Sequence, residues 1–295
     1  MKNKAILIAA ILISFSVEAA AAGAGSAAGD FLNIGVGAKA AALGGAMTAR
    51  AEGVEAIYWN PAGLAGIKRP EASFSHTLWA FETSHTSASF ALPLDEKTAL
   101  GLLVNYFSAG TMDKVDNTGL ADGTFTAGNL SAAISYSMKI TDSIPAGISA
   151  KYISSSIDDA SGSAFAADLG IKYILNNDLT FGAGVFNVGT NLKHSIVEEA
   201  LPMNIKAGLL WKIYGATISL DGLLPSAGRK NISAGAEYVF SLGTDSLIAA
   251  RAGYDRILGF SAGAGFALGN LNFDYAILLY GDLGNNHRFS IKIKI

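Results

Sequence analysis

Leu130-Ser131-Ala132-Ala133-Ile134-Ser135-Tyr136-Ser137-Met138 is the stretch whose reading decides the fold. Its even positions are apolar and its odd positions small or polar, a period of two that belongs to a β-strand with unlike faces. The same period runs through Phe165–Tyr173, where the odd positions are apolar and Asp168 and Lys172 face the other way. It returns in Met203–Leu209, Ile232–Tyr238 and Leu271–Ile277, and most cleanly in Arg288-Phe289-Ser290-Ile291-Lys292-Ile293-Lys294-Ile295. Extended along the chain, it predicts strands near 71–79, 83–93, 97–108, 126–138, 144–155, 164–174 and 179–187. A second set falls near 202–213, 216–224, 230–240, 246–254, 259–268, 271–280 and 287–295. The total is about fourteen, an even number as in closed antiparallel barrels that span a membrane.

Composition agrees with a lipid-facing chain. Of 295 residues, 15% are charged and 51% hydrophobic, and mean hydropathy is +0.36. An ordinary soluble domain carries roughly 25% charged residues. The net charge of -3, with no basic run, excludes a nucleic-acid partner on electrostatic grounds. The absence of Cys excludes disulfides, thiolate metal sites and cysteine nucleophiles. Met1-Lys2-Asn3-Lys4, the apolar run from Ala5 to Val17 and the small residues Ala19–Gly23 have the anatomy of a signal peptide. Residues 1–22 are read as that segment, 23–70 as a separate N-terminal unit and 71–295 as the barrel. No later run of apolar residues is long enough for a transmembrane helix, so export and hydrophobicity together point to an outer membrane.

The links between strands alternate in length. Short ones fall at 93–96, 141–143, 176–178, 214–215 and 269–270; long ones run from Ala109 to Phe125, Ser156 to Ser163 and Val188 to Leu201. Outer-membrane barrels have short periplasmic turns and longer outer loops, which places the C-terminus on the periplasmic side. A soluble secreted β protein, the competing architecture, has no reason to alternate in this way.

If the apolar parity faces lipid, the other parity faces the lumen. A Lys or Arg at the lipid midplane costs roughly 2–4 kcal/mol. Lys139, Lys151, Lys172, Lys206, Arg251, Lys292 and Lys294 therefore point inward, with Asp168, Asp221, Glu237 and Asp274. Mixed signs suggest paired charges bracing a filled interior, not a one-sign ion filter. Residues 23–70 lack the strand period. Within them, 44–59 reads as one short helix, broken by Asn60-Pro61-Ala62-Gly63-Leu64, because Pro disfavours a helical residue before it. Ile57, Tyr58, Trp59 and Leu64 make this unit apolar enough to be a buried plug rather than a linker.

Phe31–Ala40, Met47-Thr48-Ala49 and Ala56-Ile57-Tyr58-Trp59-Asn60-Pro61-Ala62-Gly63-Leu64-Ala65 resemble the N-terminal signature of the PorV/PorQ family, within the wider FadL-type group of outer-membrane barrels. Phe186-Asn187-Val188-Gly189, Leu201–Leu209 and Leu283–Ser290 are similar to later parts of that family. The resemblance implies a fourteen-stranded barrel with an N-terminal hatch that contains the Asn60–Gly63 turn. It also implies one of two functions. PorV-type members serve type IX secretion by handing on secreted cargo, and FadL-type members pass hydrophobic molecules.

The residues carry little that resembles an active site. His287 lies near Asp282 and Ser290, and His194 near Ser195, Glu198 and Glu199, but no Gly-x-Ser-x-Gly elbow stands between a strand and a helix. Glu198-Glu199 and Asp158-Asp159 lack the ordered oxygen spacing of a calcium loop. The expectation is a non-enzymatic barrel with no cofactor and no metal. It docks secreted proteins or secretion components, or alternatively passes hydrophobic small molecules. Its other partners are outer-membrane lipid and the barrel-assembly machinery, for which Phe289, Ile291, Ile293 and Ile295 form the C-terminal signal.

Overall fold

The computed structural model describes residues 28–79, 83–194, 197–279 and 285–295; the expected signal segment lies outside them. Beyond residue 70 the described chain is almost entirely strand. The first seven strands are β1 (Glu71–Leu78), β2 (Ser84–Pro93), β3 (Thr98–Val115), β4 (Ala121–Thr141), β5 (Ile144–Ile157), β6 (Ala160–Ile174) and β7 (Leu179–Gly189). A small hairpin follows, β8 (Leu192–His194) and β9 (Val197–Glu199). The wall resumes with β10 (Asn204–Ile213), β11 (Ala216–Pro225), β12 (Asn231–Ser241) and β13 (Ser246–Asp255). It ends with β14 (Gly259–Leu268), β15 (Leu271–Leu279) and β16 (Asn285–Lys294).

Every strand except the β8–β9 pair joins one closed antiparallel barrel of fourteen strands, with β7 bonded to β10. The barrel closes where β1 meets β16, from Glu71 opposite Lys294 to Leu78 opposite His287. Closure leaves no strand edge unpaired, which lipid would penalise at every bare N–H and C=O. No described helix is long and apolar enough to cross a membrane.

The two faces separate as the alternation requires. Ile134 and Tyr136 are 53% and 39% exposed on the outside, while the alternate residues Ser135 and Ser137 are buried against the interior. Aromatic pairs stand on the outer face toward both ends, Tyr152–Phe165 and Tyr254–Phe260 at one and Tyr238–Phe240 at the other. Rings at this position suit the boundary between hydrocarbon and headgroup. An outer surface that exposes large apolar side chains all round the barrel is a lipid-facing surface, and it removes the soluble alternative.

Two of the three expected long links are mostly strand. β3 and β4 are 18 and 21 residues long, and Met112 still pairs with Phe125. Only residues 116–120 turn, where Asp116 accepts from the amides of Thr118 and Leu120 at 2.8 and 3.0 Å. The Ser156–Ser163 link is likewise a tight turn at Asp158, whose φ is 52°. The apolar alternation stops at the lipid boundary, whereas backbone pairing continues past it. Sequence period alone therefore shortens these strands.

Residues 28–70 sit inside the barrel, against β3–β6 on one side and β13–β16 on the other. They do not form one helix over 44–59. The turns are helical at Ala38–Ala42 and Ala56–Trp59, with tighter turns at Asp30–Asn33, Gly53–Glu55 and Pro61–Gly66. Gly44, Gly45 and Gly53 have φ of 64°, 76° and 63°, a left-handed backbone that interrupts the helix. Leu43, Met47, Val54, Ile57 and Leu64 are buried to 1% exposure or less. They pack with Ala91, Ala99, Leu103 and Ala133 of the wall into one apolar core.

Candidate functional site: the plug, its wall contacts and a cavity

Asn60 organises the plug. It is wholly buried, and its Oδ1 accepts from the amide of Ala62, capping the Pro61–Gly66 turn. Its Nδ2 donates to the carbonyls of Thr48, at 2.8 Å, and of Ile171 in β6, at 3.2 Å. One side chain thus ties two parts of the plug to each other and to the wall. Pro61, Ala62, Gly63 and Leu64 are all buried beneath it, and Ile57 lies in the apolar core. Tyr58 donates to the Leu32 carbonyl and the Trp59 indole to that of Val36, at 2.8 and 2.9 Å. Burial pushes the Tyr58 phenol above its ordinary pKa, so it stays a neutral donor.

The wall meets the plug with glycines and charges. A Cβ on Gly147 of β5 would lie 2.5 Å from the Pro61 carbonyl carbon, and one on Gly235 of β12 2.6 Å from the Leu43 oxygen. Plug backbone therefore rests directly on strand backbone, which only glycine permits.

The inward charges divide by partner. Asp221 Oδ2 accepts from the amides of Met47 and Thr48 at 2.9 and 2.7 Å, and from the Thr48 hydroxyl at 2.6 Å. Glu237 pairs with Arg50 of the plug and with Arg251, at 2.6 Å; Arg251 continues to Asp274 at 2.7 Å. Lys151 pairs with Asp168 at 2.7 Å and donates to Asn187 Oδ1 at 2.6 Å. Lys172 donates to the Ala51 carbonyl at 3.0 Å. Lys139 stands at the turn end, donating to the Glu96 carbonyl. Lys292 and Lys294 lie on β16 near the same end, and Lys292 lines a small crevice of about 150 Å³ with Lys39, Glu237 and Asp274. Phe289, Ile291, Ile293 and Ile295 alternate on the outer face, 49%, 46%, 39% and 62% exposed.

Lys206 is different. Its Nζ lies over the rings of Phe186, Trp59 and Tyr58, at 4.9, 5.2 and 5.8 Å from their centroids. It borders a cavity of about 400 Å³ between the plug and the wall from β10 to β16, rimmed by the links after β11 and β13. Trp59, Leu223, Ile257 and Leu278 give the cavity apolar walls, and Asn204, Asp221 and Arg288 add polar groups.

Of three further partners, one escapes the strand period and two obey it. Arg50 sits in the unperiodic plug, where parity says nothing. Glu71, whose carboxylate accepts from the Val54 amide at 3.0 Å, and Arg288, which donates to the Gly35 carbonyl, lie on the inward parity of β1 and β16. The alternation was enough to place both. His287 stacks on Tyr275 at the outer face with its Nδ1 2.8 Å from the phenol oxygen; Asp282 lies outside the described residues, as does Ser195.

These features define a class: a membrane-spanning β-barrel of fourteen strands whose lumen is filled by an N-terminal plug. Neither a family model nor a curated protein sequence matches the chain. Among solved structures it is similar to the CymD monoaromatic hydrocarbon channel, at TM-score 0.64 and 12% identity over 89% of this chain and 98% of that one. It is similar to the Pseudomonas putida toluene transporter TodX, at 0.63 and 12% over 88% and 96%. A Pseudomonas aeruginosa FadL homologue matches at 0.55 and 10% over 85% and 95%. The fold is that of these FadL-type barrels.

Proposed function

We propose that this chain is an outer-membrane channel that passes hydrophobic small molecules passively, without catalysis. The observation that carries the reading is the cavity between plug and wall, of about 400 Å³ and with apolar sides. That volume lies within the range of small-molecule sites, roughly 300–1,000 Å³. The fold shared with hydrocarbon channels supports it. In this reading the plug and the C-terminus face the periplasm, the links after β11 and β13 face outward, and the alternating Phe289–Ile295 segment is read by the barrel-assembly machinery. Uptake of a hydrophobic fluorescent probe by proteoliposomes tests it. Faster uptake than by empty vesicles supports the channel, and equal uptake overturns it.

A second reading is docking of secreted proteins or secretion components. It rests on the likeness of Phe31–Ala65 to the PorV/PorQ signature and on the β3–β4 hairpin, which extends beyond the neighbouring turns. Crosslinking in native membranes followed by mass spectrometry of co-purified proteins separates the two. Exported proteins recovered in stoichiometric amount favour docking.

A further inference from the structure

We propose that the plug–wall cavity selects uncharged hydrophobic molecules that carry a hydrogen-bond-accepting oxygen, and that Lys206 is the residue that reads it. The inference rests on the channel reading and names its substrate class. Three observations lead to it. First, among the described residues Lys206 makes no ion pair and no hydrogen bond, whereas Lys151 and Lys172 are both committed. Its partners are the faces of Phe186, Trp59 and Tyr58, which attract a cation but accept no conventional N–H···O bond. Three donors on one ammonium thus remain free beside the cavity.

Second, the cavity is balanced in charge. Its acidic lining residues are Asp30, Asp221 and Asp255, and its basic ones Lys206, Arg229 and Arg288. Asp221 lies on β11 beside β10, one diagonal step from Lys206 on the same face. The lining offers an anionic ligand no net positive charge and sets carboxylates beside it. A carbonyl, ester or ether oxygen takes a donor from Lys206 without carrying charge into the site. Third, Leu223, Ile257 and Leu278 give the hydrocarbon body an apolar surface.

The test is binding to the full-length protein in detergent, with protein-free micelles as the blank, by isothermal titration. The ligands are ethylbenzene, acetophenone and benzoate, which share a ring and differ in the oxygen. Acetophenone binds about tenfold tighter than ethylbenzene, the worth of one hydrogen bond to a charged donor. Lys206→Met keeps the chain length against the three rings and removes the donor. It abolishes the preference, so that acetophenone and ethylbenzene bind the variant with equal affinity. Equal binding of the two in the unsubstituted protein, or a preference that survives Lys206→Met, overturns the inference while the channel reading stands. Tighter binding of benzoate than of acetophenone also overturns it, by making the site anionic in preference. If none of the three binds, the channel reading falls and the inference with it.

Discussion

Asp221→Asn isolates what holds the plug to the wall. The carboxylate oxygen Oδ2 receives three donors, the Met47 and Thr48 amides and the Thr48 hydroxyl, between 2.6 and 2.9 Å. Asn keeps the shape and an acceptor but removes the charge. A hydrogen bond to a charged group is worth about 1 kcal/mol more than one to a neutral group. For three donors the local loss is therefore about 3 kcal/mol, or about 150-fold in the opening equilibrium. The neighbouring cavity admits water to the same region, which lowers the loss toward about 2 kcal/mol. Hydrogen exchange of the detergent-solubilised protein reads this directly. Exchange at the Met47 and Thr48 amides should accelerate by about 30- to 150-fold, while the strand amides of β4 and β5 keep their protection. A change below threefold at those two amides refutes the reasoning. An equal loss throughout the wall also refutes it, because the clamp would then support the barrel and not the plug.

Other contacts make sharper local predictions. Gly235→Ala would put a Cβ 2.6 Å from the Leu43 carbonyl oxygen and should cost about 1–3 kcal/mol, lowering the temperature at which the folded band is lost on unheated-versus-heated gels. Gly222→Ala, whose nearest neighbour is 4.0 Å away, should leave that temperature unchanged. Asn60→Ala removes a cap and strips a donor from the buried Thr48 carbonyl and the part-buried Ile171 carbonyl, for a loss of about 2–4 kcal/mol, seen as faster proteolysis within residues 44–66. Asp95, in the exposed turn after β2, accepts first from the Lys97 amide and then from Thr98, which hold its carboxyl below the usual carboxylate range. A depressed folded-state value means the turn's support is present at neutral pH and is lost only as pH falls through that lowered value. A carboxyl carbon titration with its midpoint in the ordinary range would contradict this.

How much of this the sequence discloses depends on which physical rule each part obeys. The wall is legible because lipid and lumen impose opposite polarity on successive residues, so Ile134 and Ser135 announce their faces without any long-range information. The strand ends beyond the bilayer are not. Past Ser108 the polarity constraint lapses while the ladder to β4 goes on through a shift in register. The plug defeats the same reasoning from the other side. Its turns depend on left-handed glycines at 44, 45 and 53 and on an Asn60 side chain that bridges from Thr48 to Ile171, and neither has a period to read.

The inward charges show most clearly what parity supplies and where it stops. Parity places Lys151, Asp168, Asp221, Glu237, Arg251 and Asp274 on the lumen side, and mixed sign suggests that they pair. Their partners come from distances in sequence that no window spans: Asp221 reaches Met47 and Thr48, 174 and 173 residues away, and Glu237 reaches Arg50, 187 away. Lys206 has the same parity and the same sign as Lys151, yet it ends among Tyr58, Trp59 and Phe186 with its donors unspent. What separates the two is a single local event. At the register shift between β6 and β7, Phe186 and Asn187 both lie on the buried side, and Asn187 takes a φ of 59°. Asn187 then satisfies Lys151 and Asp168, while Phe186 joins the plug aromatics over Lys206. One extra residue in β7 therefore closes one charge into the scaffold and leaves the next one facing the cavity, which is why a functional distinction between two lumen lysines is invisible to alternation alone.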